Sequence, residues 1–290
     1  MEYHSDRFED FSLMVFKKEK LIAVLPANIN NAVLNSHQGL TYGGLVFSDK
    51  LKFKEVMLVF KSVLKFLSEA GIKQIELKII PSIYSDTPND ELLYLSFLLD
   101  AKLSRRDALA VIANNFKIKY SKDRIEGAKR GLKNNLEIKE VEDCSAFWED
   151  ILIPNLSTKH EANPVHSLKE ITKLKKQFPK NIRQFNVYKN EVLVAGTTIF
   201  ETKNVAHSQY ISGNKDKNTL GSLDLLHMHL LDNVFANKAF FDFGISNENK
   251  GRNVNEGLQY WKEGFGARTM TQDFYKIETS HHTKLNDVFI

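Results

Sequence analysis

Apolar and polar positions along the first half of the chain predict a hairpin, a strand, a helix and a further strand. FSLMVF and LIAVLPANI flank the polar turn KKEK, which is typical of a β-hairpin, and GLTYGGLVF predicts another strand. A helix is predicted from Val56 to Ala70, because apolar residues recur there at helical spacing and Gly71 follows. The segment IELKII at 75–80 then predicts a strand.

The second half repeats this order with little sequence identity. FNVYKNEVLVAGTTIF predicts a hairpin, AHSQYISG a strand, Leu220 to Phe235 a helix and FFDFGI a strand. A repeated pattern of this kind is most simply explained by two similar α/β units. We therefore predict a mixed α/β protein with domains at 1–116 and 117–290, divided in the charged stretch NFKIKYSKD. The tail TSHHTKLNDVFI has no strong period and remains unassigned.

Capping signals predict further helices. Thr87 followed by Pro88 is typical of a helix start, and Ser121 precedes the basic segment DRIEGAKRGLKNN. Ser167 and Glu170 have the spacing of a capping box. These signals place three helices outside the repeated pattern.

A last helix is predicted in NVNEGLQYWKEGFGA, and it carries an unusual lysine. Leu258, Trp261 and Phe265 have the spacing that puts side chains on one helix face. Lys262 lies in the same stripe, where another apolar residue is expected. On pattern alone, the side chain either snorkels outward, which is the commoner outcome, or ends in a polar cleft.

Composition indicates a globular protein and excludes several classes. The 290 residues are 42% hydrophobic and 26% charged, with a net charge of only +4, which does not favour a nucleic-acid binder by itself. A single cysteine, Cys144, excludes an internal disulfide and a cysteine-based zinc cluster. The longest apolar run, at 92–99, is too short to span a bilayer, and the N-terminus lacks a signal-peptide pattern. We expect a cytoplasmic protein without membrane insertion.

Three stretches give the chain a resemblance to a known family. They are PANI…TYGGLVF at 26–47, RIEGAKRGL at 124–132 and FFDFGISNENKGRNVNEGLQYWKEGFGAR at 240–268. Their order resembles Fem-type (FemAB-like) proteins, which are tandem GNAT acyltransferases. The resemblance implies two GNAT-like domains, each a mixed, mostly antiparallel sheet flanked by helices, with the active site in the second.

The activity implied by this resemblance is transfer of an acyl or aminoacyl group to an amine of a cell-envelope or amino-sugar precursor. The donor would be acyl-CoA, such as acetyl-CoA, or aminoacyl-tRNA, and the acceptor a small or nucleotide-linked amine. Two alternatives stay open. One is an aminoacyl-tRNA-dependent transferase that builds peptidoglycan interpeptide bridges, and the other a non-catalytic glycan-binding or RNA-binding module derived from such an enzyme.

The donor loop of the family corresponds to NKDKNTLGSL at 214–223, which keeps one glycine of the usual GNAT motif. Gly221 and Ser222 begin a predicted helix, whose first turn suits phosphate, and Lys215 and Lys217 add positive charge. An ordinary surface loop explains the same residues equally well. By resemblance, backbone groups at Tyr210, Ile211 and Gly213 would also contact the donor and stabilise the oxyanion.

The remaining candidates concern the acceptor. Tyr42, Gly43 and Gly44 would form a wall of the acceptor site by resemblance, although a glycine pair in a turn explains them as well. Arg124 lies on a basic helix surface that could meet phosphates of a nucleotide-linked acceptor or of tRNA. Such a surface is more often only solvated.

Three residues are candidates for catalysis. The resemblance places Trp261 and Lys262 at the active-site channel, where the ammonium would stabilise negative charge on the donor. Asp242 faces the opposite side of its strand from its phenylalanine neighbours and could position the amine or act as a base. Pairing of Asp242 with Arg252 or a backbone N–H is the favoured alternative. No histidine spacing typical of a metal site is present, so no metal is expected.

Overall fold

The computed structural model describes residues 5–160 and 163–290. By contact density, the chain divides into two compact units. The first unit contains the residues up to Asp107 together with Thr271–Ile290, and the second is Ala108–Met270.

The elements are as follows in chain order. The strands are β1 (Glu9–Asp10), β2 (Leu13–Lys17), β3 (Lys20–Leu25), β4 (Asn28–Asn30), β5 (Val33–Asn35), β6 (Val46–Phe47), β7 (Gln74–Lys78), β8 (Lys102–Ala113), β9 (Glu137–Val141), β10 (Ile182–Lys189), β11 (Val192–Glu201), β12 (Val205–Gly213), β13 (Phe240–Ile245), β14 (Asn247–Glu248), β15 (Asn253–Val254) and β16 (Arg268–Glu278). The helices are α1 (Phe53–Glu69), α2 (Glu91–Leu98), α3 (Lys122–Lys133), α4 (Ser145–Phe147), α5 (Ile153–His160), α6 (Leu168–Gln177), α7 (Lys217–Leu220), α8 (Ser222–His229) and α9 (Glu256–Glu263).

The first unit contains a mixed sheet in which β1, β4, β5, β7 and β16 are neighbours in that order. β5 and β7 run parallel, with Leu34 opposite Ile75, and the connection between them contains α1. The other neighbours pair antiparallel. A separate antiparallel sheet is formed by β2, β3 and β6.

The second unit repeats this arrangement with β8, β13, β12, β11, β10 and β9 as neighbours. β12 and β13 run parallel, with Ala206 opposite Phe241, and α7 and α8 connect them. The other neighbours pair antiparallel. Each unit thus has a mostly antiparallel sheet containing a parallel pair joined by a helical crossover, so the predicted mixed α/β class is confirmed.

The compact units differ from the predicted division at residues 116 and 117. The boundary at Asp107 falls within β8, and the chain beyond Thr271 packs with the first unit. The physical reason is long-range pairing, because β16 lies antiparallel to β7, with Ile277 opposite Ile75. The unassigned tail follows this strand directly and begins with the 3-10 helix Thr279–Leu285.

Several local predictions are confirmed and two are wrong. The side chain of Ser121 caps α3, and the Ser167 capping box begins α6. The helix predicted at Thr87 begins only at Glu91. The strand predicted in GLTYGGLVF is reduced to β6, because Gly44 has a φ of +107°, outside the extended range of a strand.

Each unit has its own apolar core. The inward face of α1, including Phe60 and Leu67, packs in the first. In the second, Phe241 and Phe243 of β13 pack with Phe265, which follows α9. This aromatic packing holds α9 against the end of β13, where the candidate site lies.

Candidate functional site

The parallel strands β12 and β13 separate halfway along β12. They pair only from Val205–His207 to Phe240–Asp242, whereas β12 keeps its pairing with β11 as far as Gly213. The register of β13 against its other neighbour, β8, shifts between Asp242 and Ile245. Gly244 has a φ of +68° there, a conformation that glycine adopts without steric cost. The turn in β13 therefore leaves an edge of β12 open.

The direction of the amides along this open edge follows from the pairing with β11. The N–H of Asn214 donates to the carbonyl of Val194 on the β11 side, with 2.8 Å between N and O. Since amides alternate along an antiparallel strand, those of Ser212 and Tyr210 point to β11 as well. The N–H groups of Ile211 and Gly213 consequently point to the open edge.

Asp242 lies buried at the point where the two strands separate. Its carboxylate accepts a hydrogen bond from the backbone N–H of Gly244 at 2.7 Å, which stabilises the turn in β13. Its other oxygen lies 3.1 Å from Nδ1 of the buried His207, the residue opposite on β12. Of the alternatives raised by the sequence, Asp242 thus makes the backbone contact, with histidine rather than Arg252 as its side-chain neighbour.

Lys262 is buried on the inner side of α9, with only 2% of its surface exposed. Its ammonium donates to the carbonyl oxygens of Gly244 at 3.0 Å and Ile245 at 2.6 Å. Burial lowers the pKa of Lys262 to about 8, and the negative charge of Asp242 acts in the opposite direction. The side chain does not snorkel outward, because it binds carbonyls at the irregular end of β13.

A cavity of about 580 Å³ lies in the second unit beside the open edge. Its lining combines basic, polar and apolar side chains from α3, α5, β12, α7, α8 and α9. The lining residues are Arg124, Arg130, Leu152, Asn155, Leu156, Ile211, Ser212, Lys217, Asn218, Leu223, Asp224, Asn255, Gly257, Leu258, Tyr260 and Trp261. Ile211 and Ser212 belong to the part of β12 that does not pair with β13, so the cavity reaches the open edge.

One wall of the cavity is fixed by a hydrogen-bonded group of three side chains. Arg124 of α3 donates to Asp224 of α8 at 2.6 Å, and the indole N–H of Trp261 donates to the same oxygen at 2.8 Å. Burial raises the pKa of Asp224, while both hydrogen bonds lower it. Gly127 makes room for this carboxylate, because a Cβ at that position would lie 1.7 Å from it. The group orients both the guanidinium and the indole on the cavity wall.

The residues of the predicted donor loop differ in exposure, because α3 packs on α8. Lys217 lines the cavity, whereas Lys215 is exposed and does not. Gly221 has a φ of +71°, and a Cβ there would lie 2.0 Å from the carbonyl oxygen of Gly127. Ser222 is fully buried. Helix α3 therefore covers the start of α8, where the sequence placed donor phosphates.

Two further donor candidates lie beside the cavity without lining it. Tyr210 is buried, and its hydroxyl accepts a hydrogen bond from the backbone N–H of His166 and contacts the imidazole Nδ1 at 2.7 Å. Gly213 packs against the stem of Lys217, and its carbonyl accepts from Asn155 at 2.8 Å. Both residues hold the end of β12 in place.

The acceptor candidates Tyr42, Gly43 and Gly44 lie in the first unit. The hydroxyl of Tyr42 bonds that of Tyr84. A Cβ on Gly43 would lie 1.8 Å from the carbonyl oxygen of Ser36, and Gly44 has a φ of +107°. Close backbone approach thus accounts for this glycine pair.

The structure brings together Arg124, Ile211, Lys217 and Trp261 from the predicted set. Sequence reasoning missed Asp224, because it lies within a leucine-rich helix and gives no local signal. Asn155 likewise falls in the apolar segment ILIPNL. A pattern of one sequence cannot show that these side chains meet Arg124 and β12.

Within residues 5–160 and 163–290, no cluster of three or more histidine, cysteine, aspartate or glutamate side chains is arranged to hold a metal ion. Within the same ranges, no helix is both long and apolar enough to cross a bilayer.

No protein-family model and no curated protein sequence matches the chain. Solved structures do match. FemX has a TM-score of 0.63 at 11% identity, over 98% of this chain and 92% of FemX. L-PGS from Bacillus licheniformis has a TM-score of 0.58 at 12% identity, over 89% of this chain and 81% of L-PGS.

A third match is the C-terminal DUF2156 domain of a predicted lysylphosphatidylglycerol synthetase from Agrobacterium fabrum. Its TM-score is 0.63 at 12% identity, over 95% of this chain and 87% of that domain. These matches span nearly the whole chain. The chain therefore shares the fold of FemX, as the sequence resemblance to Fem-type proteins implied.

Proposed function

We propose that the protein is an N-acyltransferase that moves an acyl or aminoacyl group to an amine of a cell-envelope or amino-sugar precursor. The observation that carries this proposal is the open edge of β12, which meets a cavity lined by Arg124, Arg130 and Lys217. The fold shared with FemX and with a lysylphosphatidylglycerol synthetase domain supports it. The name of the latter states an aminoacylated product.

The arrangement suits attack of a neutral amine on an ester or thioester carbonyl. The new C–N bond forms as a tetrahedral intermediate, which places negative charge on the former carbonyl oxygen. The N–H groups of Ile211 and Gly213 point to the open edge and would stabilise that oxygen. Collapse of the intermediate breaks the bond to the donor oxygen or sulfur, which leaves as the alcohol or thiol after taking up a proton from the amine.

For the donor, the packing of α3 favours an aminoacyl ester over a coenzyme A thioester. In the usual GNAT arrangement the glycine-containing loop meets phosphate, but here the remaining glycine of that loop, Gly221, and the following Ser222 at the start of α8 are covered. The cavity wall carries the cationic groups of Arg124, Arg130 and Lys217. We infer that they meet the phosphates near the end of a charged tRNA, so aminoacyl-tRNA is the donor in this proposal.

The test is a donor panel with mass-spectrometric detection of the acylated amine. Acetyl-CoA, longer acyl-CoAs and aminoacyl-tRNAs would each be incubated with the protein and with nucleotide-linked amino sugars. We expect product from aminoacyl-tRNA and none from the acyl-CoAs. Product from acetyl-CoA alone would contradict the donor assignment but would support the proposed acyltransferase activity. Donor binding without product from any pair would favour the non-catalytic binding module.

A further inference from the structure

The small sheet of β2, β3 and β6 has an inner face and an outer face. On the inner face, Val15, Ala23 and Phe47 lie opposite one another and pack on the core of the first unit. Because side chains alternate along a strand, the next residues point the other way. The outer face therefore begins with Met14, Val24 and Val46, which are also directly opposite one another.

This outer face is apolar and exposed. Met14 is 67% exposed and Val46 47%, and neither packs on the core of the first unit. At the hairpin end, Phe16 lies directly opposite Leu21, and they are 52% and 45% exposed. Single exposed apolar residues are ordinary, but a contiguous group on one sheet face marks an interaction surface. We call Met14, Phe16, Leu21, Val24 and Val46 the hairpin face.

Lysines outnumber acidic residues in the two segments next to the hairpin face. Lys17, Lys18 and Lys20 lie at the turn between β2 and β3 with Glu19; all four are exposed, and Lys17 pairs with Glu55 at 2.8 Å. Three further lysines follow β6 at positions 50, 52 and 54, with Asp49 and Glu55 as the acidic residues of that stretch. A second copy of the same face would bring these like charges together, which disfavours self-association.

We propose that the hairpin face binds the surface of an anionic lipid bilayer. Apolar side chains of this size enter the boundary between headgroups and acyl chains, while neighbouring lysines contact anionic headgroups. The arrangement of an aromatic and aliphatic tip between lysines matches both requirements. Peripheral binding of this kind would bring the protein to a surface where cell-envelope precursors can be lipid-linked, although the proposal does not depend on the activity.

The experiment is co-sedimentation with vesicles of phosphatidylcholine, with and without phosphatidylglycerol. We expect binding only to the vesicles that contain phosphatidylglycerol, and weakening by salt. The double variant Met14→Ser/Phe16→Ser should bind about tenfold more weakly, because the apolar area that enters the bilayer is reduced. The matched control is Phe66→Ser on α1, which removes a phenylalanine of nearly equal exposure, 51%, and should leave binding unchanged.

Charge is tested separately with Lys18→Glu, which should weaken binding to anionic vesicles by about tenfold or more because the sign of the charge is reversed. Lys180→Glu makes the same change in net charge at an exposed position of the second unit and should have no effect. All these positions are exposed, so melting should be unchanged. Equal loss in Phe66→Ser, or no binding to anionic vesicles, would overturn the proposal. So would concentration-dependent dimers that Phe16→Ser abolishes, because they would assign the face to a second copy.

Discussion

At the scale of single residues, Lys262 shows why a charge can lie on the apolar stripe of a helix. The register of β13 against β8 shifts between Asp242 and Ile245, and the ammonium donates to the carbonyls of Gly244 and Ile245. A buried carbonyl without a donor is unfavourable by about 1–3 kcal/mol. The lysine thus holds the end of the strand beside the open edge.

The burial of the Lys262 ammonium predicts how the free energy of unfolding depends on pH. The pKa of Lys262 is about 8 in the folded protein, against an ordinary value of 10.5 that applies to the unfolded chain. Between these two pH values the unfolded chain therefore holds a proton that the folded chain has released. The free energy of unfolding of the wild type should therefore rise with pH across this window, by up to about 3 kcal/mol relative to Lys262→Met. Urea unfolding of both proteins on either side of the window measures this. Parallel pH profiles would show that Lys262 titrates normally.

A second prediction at this scale concerns the ion pair on the cavity wall. Arg124→Met should lower the free energy of unfolding by about 3 kcal/mol, because it leaves the buried Asp224 carboxylate without its cation. Asp224→Asn keeps an acceptor for the Trp261 indole and removes the charge. Added to Arg124→Met, it should recover at least about 1 kcal/mol. A double-mutant cycle measures the coupling, and strictly additive losses would contradict it.

At the scale of elements, the contact between α3 and α8 decides how the donor loop is used. The glycines at 127, 131 and 221 let the two helices approach closely. The sequence shows that Gly221 precedes a helix, and this favoured a phosphate site. It does not show that another helix, about 90 residues earlier in the chain, covers the same position. Long-range packing was therefore the missing information.

This contact predicts the effect of Gly221→Ala. Its Cβ would lie 2.0 Å from the carbonyl oxygen of Gly127, in addition to the strain of a positive φ. We expect a loss of about 2–4 kcal/mol in the free energy of unfolding from overpacking and strain together. Gly71→Ala is the matched control, because its φ is +79° and a Cβ there meets no atom within 4 Å. For this control, thermal unfolding should show a loss of about 1 kcal/mol in the free energy of unfolding. Equal losses in the two variants would mean that α3 and α8 do not pack as described.

At the scale of the whole molecule, the order of the elements could be predicted but their distant pairing could not. Hairpins, crossover helices and the strand FFDFGI follow from local periodicity, and their positions agree with β10, β11, α8 and β13. The pairing of β16 with β7 joins residues about 200 apart in sequence, so no local pattern reveals it. For the same reason the sequence placed the last strand in the second domain.

The candidate site, like the fold, was predictable from the sequence only in its local parts. Arg124, Lys217 and Trp261 could be proposed from motifs, because each lies in a stretch with a charge or aromatic pattern. Asp224, which joins Arg124 to Trp261, carries no such signal and is defined only by packing. The site was thus predictable in its local parts and not in the contacts that fix their geometry.

Transfer in the cavity beside the open edge of β12 is the central feature of the proposed function. The most direct measurement is the rate of acyl or aminoacyl transfer, with the donor found active in the panel, for two lysines of the same loop. Lys217 lines the cavity, and Lys215, two residues earlier, does not. Lys217→Gln should lower kcat/KM at least about tenfold through the loss of one cationic contact, whereas Lys215→Gln should leave it unchanged. Equal rates for both variants and the wild type would contradict the central claim.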